Sequence, residues 1–155
     1  MKSIRSADHI IGYSESAIAK GERNDCVVRA MASTFELSYD VAHKFVADEF
    51  GREPRKGTFG TAAKLKCRVR DVMGTKYEII PVTDLLYPGS TRHQSLGGKP
   101  VEITLRIFLE RFPKGRFMVI VKGHAFSVID GVVIGNKSDG KRLRAKILFA
   151  IKVEE

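Results

Sequence analysis

The dipeptide Asp130-Gly131 constrains the fold more than any other feature of this sequence, because it lies between two apolar stretches. Asp-Gly favours the two-residue turn of a β-hairpin, in which both turn residues need a positive φ. The flanking stretches, "HAFSVI" (124–129) and "VVIGN" (132–136), are rich in the β-branched and aromatic residues typical of strands. The last third of the chain is therefore predicted to contain an antiparallel sheet.

The spacing of apolar residues changes along the chain from a helical period to an alternating one. It predicts helices at about 24–34, at 39–50 after a Ser38 cap, at about 59–73, and at 105–112 after a Thr104 cap. It predicts further strands at 77–82, 116–121 and 145–153, an extended loop at 87–100, and an irregular segment at 1–20 with a short strand at "IIGY". Helices that precede a sheet, instead of alternating with its strands, indicate a single α+β domain over residues 1–155.

The composition excludes several classes of protein. A chain of 155 residues buries an adequate core without disulfides or bound metal. Its two cysteines, Cys26 and Cys67, form no disulfide framework, which predicts a reducing, cytoplasmic environment. No apolar run approaches the ~20 residues of a membrane span, and the first residues lack the apolar core of a signal peptide. We therefore expect no membrane contact. No Cys, His and acidic residues have the spacing of a metal site, and we expect neither a bound metal nor a cofactor.

The chain is strongly basic, with 27 Lys and Arg against 18 Asp and Glu and a formal net charge of +9. This excess favours acidic proteins or nucleic acid as partners. However, the basic residues are spread along the chain, and no helix-turn-helix, zinc-ligand or aromatic RNA-binding motif is present. The charge keeps these partners as candidates without selecting one.

Cys26 is the candidate nucleophile. It begins a predicted apolar helix directly after Asn24 and Asp25, which are residue types that commonly start helices. The positive end of the helix dipole favours the thiolate, and a nearby imidazolium lowers the thiol pKa further. Cys67 lies in a basic segment without a matching histidine, and we interpret it as structural. The simpler alternative is that Cys26 is a small apolar residue of the core.

His124 is the candidate general base, because it begins the rigid strand that leads into the Asp-Gly turn. The alternative is a strand histidine bound by a backbone carbonyl. With a two-residue turn, the position diagonal to His124 is Gly135, which has no side chain. With one extra residue in the turn, Asn136 moves onto the face of His124. Asn136 is therefore the predicted residue that orients the imidazole, with Asp139 as the alternative.

This order of residues resembles the papain-like cysteine peptidases, in which a cysteine heads the central helix and a histidine and an Asn or Asp lie on the following sheet. The more specific resemblance is to small phage-encoded and bacterial proteins related to the bacteriocin-processing, C39-like branch. The stretches that carry it are "RNDCVVRAMA", "TLRIFLERFPKGRFMVIVKGHAFSVIDGVV" and, less sharply, "KGTFGTAAK", within residues 22–136. The resemblance implies a papain-like α+β fold, with the nucleophile helix packed on a C-terminal antiparallel sheet, Cys26 as nucleophile and His124 as base.

The sequence departs from the papain-like pattern at the oxyanion hole. These peptidases usually carry a glutamine a few residues before the cysteine, whereas here the residue six positions earlier is Lys20. We expect the Asn24 side chain and the backbone N–H of Cys26 to donate the hydrogen bonds to the oxyanion instead.

In the phage relatives, an Asp commonly stands near the position of Gly135. The residues expected to line the cleft are Arg29, Lys20 and Asp139. Arg29 is expected to anchor the helix or to meet an acidic substrate group.

Two functions are consistent with these features. The first is a thiol hydrolase, a cysteine peptidase, isopeptidase or amidase, which by the resemblance is phage-encoded and acts on a protein or peptide in the host cytoplasm or from the virion. The second is an inactive papain-like scaffold whose basic surface binds an acidic host protein or nucleic acid. The Cys and His motifs favour the enzyme, whereas the missing glutamine and the high charge favour the binding protein.

Overall fold

The computed structural model describes residues 3–58, 71–81, 103–136 and 138–154. Within these ranges the chain has a mixed α+β architecture, which confirms the predicted class. The helices are α1 (Ser6–His9), α2 (Ala17–Lys20), α3 (Cys26–Thr34), α4 (Tyr39–Phe50) and α5 (Leu105–Arg111), with a 3₁₀ turn at Asp139–Lys141. The strands are β1 (Ser3–Arg5), β2 (Asp71–Val72), β3 (Thr75–Pro81), β4 (Arg116–Val121), β5 (His124–Ile129), β6 (Val132–Gly135) and β7 (Ile147–Val153).

The seven described strands form one sheet in the order β1-β6-β5-β4-β7-β3-β2. All neighbouring pairs are antiparallel except β1 and β6, which run parallel. The prediction of a purely antiparallel C-terminal sheet is therefore wrong at this edge. Strand β1 comes from the N-terminus and consists of three exposed residues, so its sequence has no alternation that would indicate a strand.

The predicted hairpin is confirmed. Ile129 pairs with Val132, and the turn residues Asp130 and Gly131 have φ values of 49° and 78°. Both angles fit the two-residue turn that Asp-Gly favours. The alternative with an extra turn residue, which would bring Asn136 onto the face of His124, is wrong.

The helix caps that the sequence predicts are present. The side chains of Ser38 and Thr104 accept hydrogen bonds from backbone N–H groups in the first turns of α4 and α5. Gly51 ends α4 in the left-handed conformation, with φ of 69°, which glycine adopts without steric cost. These signals are local, and for this reason they can be recognised in the sequence.

Other predicted elements differ from the structure. The segment predicted as irregular contains β1, α1 and α2 over its described residues, 3–20, and "IIGY" forms no strand. The helix predicted at 59–73 falls mainly outside the described residues. Its last part is wrong, because Asp71 and Val72 form β2 and Met73 lies in the following turn, with φ of 50°. The loop predicted at 87–100 also lies outside the described residues.

The sheet has an apolar core on each face. On one face α3 and α4 pack through Val28, Met31, Ala42 and Val46 against side chains such as Met118 and Ile151. On the other face α5 packs through Leu105 and Phe108 against Phe117, Phe126 and Val128. Helix α3 is thus held on the sheet, in contact with β5, and its first residue lies near the first residue of that strand.

A buried polar contact fixes the position of α3 relative to β5. The hydroxyls of Thr34 and Ser127 lie 2.6 Å apart, and the Ser127 hydroxyl donates to the carbonyl of Ala30 at 3.0 Å. Both side chains are fully buried. Buried hydroxyls need partners, so these bonds favour one register between the helix and the strand.

Replacing Ser127 by alanine tests this contact. We expect Ser127→Ala to lower the free energy of unfolding by about 1–3 kcal/mol, because the Thr34 hydroxyl loses its closest partner in a buried site. Urea denaturation measures the change. The matched control is Ser14→Ala at an exposed position, which we expect to change stability by about 0.5 kcal/mol or less. Equal stability of the two variants would contradict the role of the contact.

Candidate active site

The structure brings Cys26 and His124 together. Cys26 is the first residue of α3, His124 is the first residue of β5, and both side chains line one cleft, close enough for each to shift the pKa of the other. Cys26 is a free, half-buried thiol, and the His124 side chain is 12% exposed. The two residues most strongly singled out by the sequence therefore share one site.

The carboxylate of Asp139 holds the other side of the imidazole. Its Oδ2 lies 2.8 Å from Nε2 of His124 and also accepts a 2.6 Å hydrogen bond from the backbone N–H of Asn136. Asp139 is fully buried, and Nε of Arg142 lies 3.3 Å from its Oδ1. Because Nε2 contacts Asp139, Nδ1 is the ring nitrogen available to Cys26. Cys26, His124 and Asp139 thus form a continuous chain of contacts.

These contacts shift the pKa values of all three groups towards the charged forms. For Cys26, burial raises the pKa, but the hydrogen bond and charge of His124, the backbone N–H of Ala125 and the Arg29 charge together lower it. For His124, burial opposes the charge, but bonds to Asp139 and Cys26 raise the pKa to about 9. Despite burial, the pKa of Asp139 is lowered by His124 and by its backbone bond. The shifts of Cys26 and His124 both move this pair in the direction of a thiolate beside an imidazolium.

The backbone of β5 also helps to lower the pKa of Cys26. Residue Ala125 forms a backbone hydrogen bond to Cys26. The described pairing of β5 with β6 covers Ser127 to Ile129, so it does not extend to Ala125, two residues earlier in the chain. The N–H of Ala125 is therefore directed to the thiol instead of to a neighbouring strand. This donor is not visible in the sequence, because it depends on where two strands separate.

Asn136 does not take the predicted position. Its side-chain Oδ1 accepts a 2.6 Å hydrogen bond from Arg29, and the imidazole of His124 contacts Asp139 instead. The physical reason is the turn after β6. The chain bends into the 3₁₀ turn, which returns the Asp139 carboxylate to the histidine while the Asn136 side chain lies against α3. The alternative orienting residue, Asp139, is the one with the required geometry.

Arg29 and Asp25 form a further set of contacts at the start of α3. Asp25 is the N-cap residue of α3 but its side chain does not cap the helix. It accepts hydrogen bonds from Nε of Arg29 at 3.1 Å and from the buried hydroxyl of Tyr39 at 2.7 Å. Arg29 also donates to the hydroxyl of Ser6 at 2.9 Å. Arg29 therefore anchors the helix start. Tyr39 and Ser6 were not predictable, because they come from other helices.

The cysteine and histidine open onto a cleft of about 630 Å³. One wall is polar and includes Asn24 and Thr58, and the other is apolar and includes Ile120, Leu148 and Phe149. Leu148 is 51% exposed in this apolar wall. Such a cleft, open to solvent and lined by both apolar and polar side chains, has the character of a ligand site.

The other predicted cleft residues have different positions. Asn24 lines the cleft, and its side-chain amide donates one 3.1 Å hydrogen bond to the carbonyl of Arg55. Arg29 lines the cleft as predicted. Lys20 ends α2 as an exposed residue and is not among the residues that line this cleft in the described chain. Asp139 lies behind His124, not in the cleft wall.

A buried ion pair supports the rim of the cleft. Arg52, 6% exposed, donates to the carboxylate of Glu22 and to the carbonyl of Arg23. The backbone N–H of Arg55 also donates to Glu22. The loop after α4 is thereby tied to the segment that precedes Cys26. A buried pair of this kind favours one loop position, because an unpaired charge would be costly there.

Among the described residues, no group of three or more His, Cys, Asp and Glu side chains is placed to hold a metal ion. In the same part of the chain, no helix combines the length and apolar character needed to cross a bilayer.

Comparisons with protein-family models, with curated proteins and with solved structures find no match for this chain.

Replacing Asp139 by asparagine tests the electrostatic role of the carboxylate. Asparagine removes the charge that raises the His124 pKa, so the imidazolium loses its proton at lower pH and stabilises the thiolate less. We expect the pH midpoint of Cys26 alkylation by iodoacetamide to rise by about 1 unit or more. Asp48→Asn, at an exposed position, is the control and leaves the midpoint unchanged. An unchanged midpoint in Asp139→Asn would contradict this role.

Proposed function

We propose that this protein is a thiol hydrolase that cleaves an amide bond in a peptide or protein. The observation that carries the proposal is the chain of contacts from Cys26 through His124 to Asp139, which opens onto a cleft. The order of these residues along the chain also agrees with the resemblance to papain-like peptidases of the C39-like branch. A nucleophile, a base and an orienting group in this order are the components of nucleophilic acyl transfer.

Acylation begins with the thiolate. Sγ of Cys26 attacks the carbonyl carbon, and the carbonyl π electrons move to the oxygen. As the intermediate collapses, the C–N bond breaks and the His124 imidazolium donates its proton to the leaving amine. The product is a thioester on Cys26 and a neutral imidazole. Asp139 holds the ring with Nε2 fixed and Nδ1 towards the reacting atoms.

Deacylation reverses the roles of the imidazole. Neutral His124 takes a proton from a water molecule while the water oxygen attacks the thioester carbon. The C–S bond then breaks, the carboxylic acid leaves and Cys26 returns as a thiolate beside the restored imidazolium. An amine in place of water would make the same site an acyl-transferase, since the chemistry differs only in the second nucleophile.

The start of α3 is suited to stabilising the oxyanion. The first N–H groups of a helix have no partner within the helix, and the Asp25 side chain does not cap them because it is bound by Arg29 and Tyr39. We assign the backbone N–H of Cys26 as one donor. The side-chain amide of Asn24 donates one hydrogen to Arg55, and its second hydrogen is the other donor we assign.

The cleft fits a peptide with an apolar side chain better than a highly charged substrate. The apolar wall of Ile120, Leu148 and Phe149 fits an apolar side chain close to the reacting carbonyl. The Arg29 charge is already compensated by Asp25 at 3.1 Å, so an acidic substrate group gains little from it. A basic binding protein, the competing interpretation, needs none of the contacts among Cys26, His124 and Asp139.

Variants of the nucleophile and base test the proposal. We expect a library of fluorogenic peptide amides to contain cleaved members, with cleavage reduced about 10³-fold or more in Cys26→Ala and His124→Ala. Mass spectrometry should detect an acyl group on Cys26 after reaction with an activated peptide ester. Cys67→Ala is the matched control and retains activity. If Cys26 is alkylated as a thiolate but neither cleavage nor acylation occurs, the hydrolase is contradicted and the basic binding protein is favoured.

A further inference from the structure

The place of the Asp139 carboxylate depends on a glycine in the neighbouring strand. Gly135 is the last residue of β6, and a Cβ on it would lie far inside 3.0 Å of Oδ2 of Asp139, closer than real Cβ atoms approach. The same Cβ would be 3.2 Å from Cγ of Asp139. The carboxylate therefore occupies the space that a side chain at position 135 would take.

The backbone does not require glycine at this position. Gly135 is not among the residues with a positive φ, unlike Gly131 with φ of 78°. It pairs with Arg5 of β1 as an ordinary strand residue. An alanine could adopt this conformation without strain, so the only obstacle to a side chain is what surrounds it.

Neighbouring atoms surround the space next to Gly135, so a side chain at position 135 cannot be accommodated without moving one of them. The Cβ of buried Phe126 lies on one side, 3.0 Å from a Cβ added to Gly135, and it is fixed to the backbone of β5. On the other side lies the carboxylate of Asp139. The turn that carries the carboxylate is also packed on its outer side, because a Cβ on Gly140 would be 2.6 Å from Cβ of Ser3 in β1. The group that can yield is the Asp139 carboxylate, and its movement breaks the bonds to His124 and to Asn136.

We propose that Gly135 is a positioning residue of the site, whose missing side chain provides the space in which Asp139 reaches Nε2 of His124. For its effect on catalysis the proposal rests on the proposed function. The steric coupling between positions 135 and 139 does not depend on it. Gly135 acts through Asp139 and touches no reacting atom.

Gly135→Ala tests the proposal without altering any of the three reactive side chains. We expect the pH midpoint of Cys26 alkylation to rise in this variant, in the same direction as in Asp139→Asn. The matched control is Gly21→Ala, because a Cβ on Gly21 meets only the carbonyl of Ile18, at 3.9 Å. This control keeps the native midpoint. A native midpoint in folded Gly135→Ala would overturn the proposal.

A double-variant cycle separates a steric conflict with the carboxylate from a general loss of stability. In an Asp139→Ala background the carboxylate is absent, so we expect Gly135→Ala to lower the thermal unfolding temperature much less than it does in the native chain. An equal decrease in both backgrounds would overturn the proposal. If Gly135→Ala alone fails to fold, recovery of folding in the double variant supports the proposal, and failure of both overturns it.

The cycle also distinguishes this inference from the proposed function. If Cys26 in the native chain reacts as an ordinary thiol, the hydrolase proposal fails, but the unfolding temperatures still report whether residues 135 and 139 compete for one space. If Cys26 reacts as a thiolate and the cycle is additive, the hydrolase proposal stands and the role of Gly135 fails.

Discussion

The bond between His124 and Asp139 is the interaction on which the rest of the site depends. Asp139 is fully buried, and a buried carboxylate without compensation is unfavourable. The imidazolium, the N–H of Asn136 and the Arg142 charge supply that compensation. In return, Asp139 raises the His124 pKa, and the charge of His124 lowers the Cys26 pKa. Each pKa is shifted towards the charged form by a neighbour, so a change at one end of this chain reaches the other.

The fold serves to bring three distant segments to one point. The Asp-Gly hairpin sets β5 and β6 side by side, the buried hydroxyls of Thr34 and Ser127 fix the register of α3 against β5, and the turn after β6 returns Asp139 to the histidine. For the proposed hydrolase, the sheet is a rigid support for His124 as the base, and the helix start is a rigid support for Cys26 as the nucleophile. Rigid supports reduce the reorganisation that the proposed reaction requires.

The parts of the site that the sequence predicts are those with a local signal. Cys26 at a helix start and His124 at a strand start follow from short patterns, as do the hairpin and the caps at Ser38 and Thr104. For the residue beside the imidazole, the sequence favours Asn136 over Asp139, and this preference is wrong, because the placement of both side chains depends on a turn that packs against β1. Gly135 is the one local signal in this stretch for the position of Asp139, since a glycine within a strand often marks a close approach by another group.

A titration of the His124 ring by NMR tests whether Cys26 and His124 form a thiolate–imidazolium pair. We expect this imidazole to stay protonated through neutral pH and to lose its proton near pH 9. In Cys26→Ser, where no thiolate is present, it should lose its proton at lower pH. Titration of native His124 at or below the ordinary value of about 6.5, unchanged in Cys26→Ser, would contradict the account.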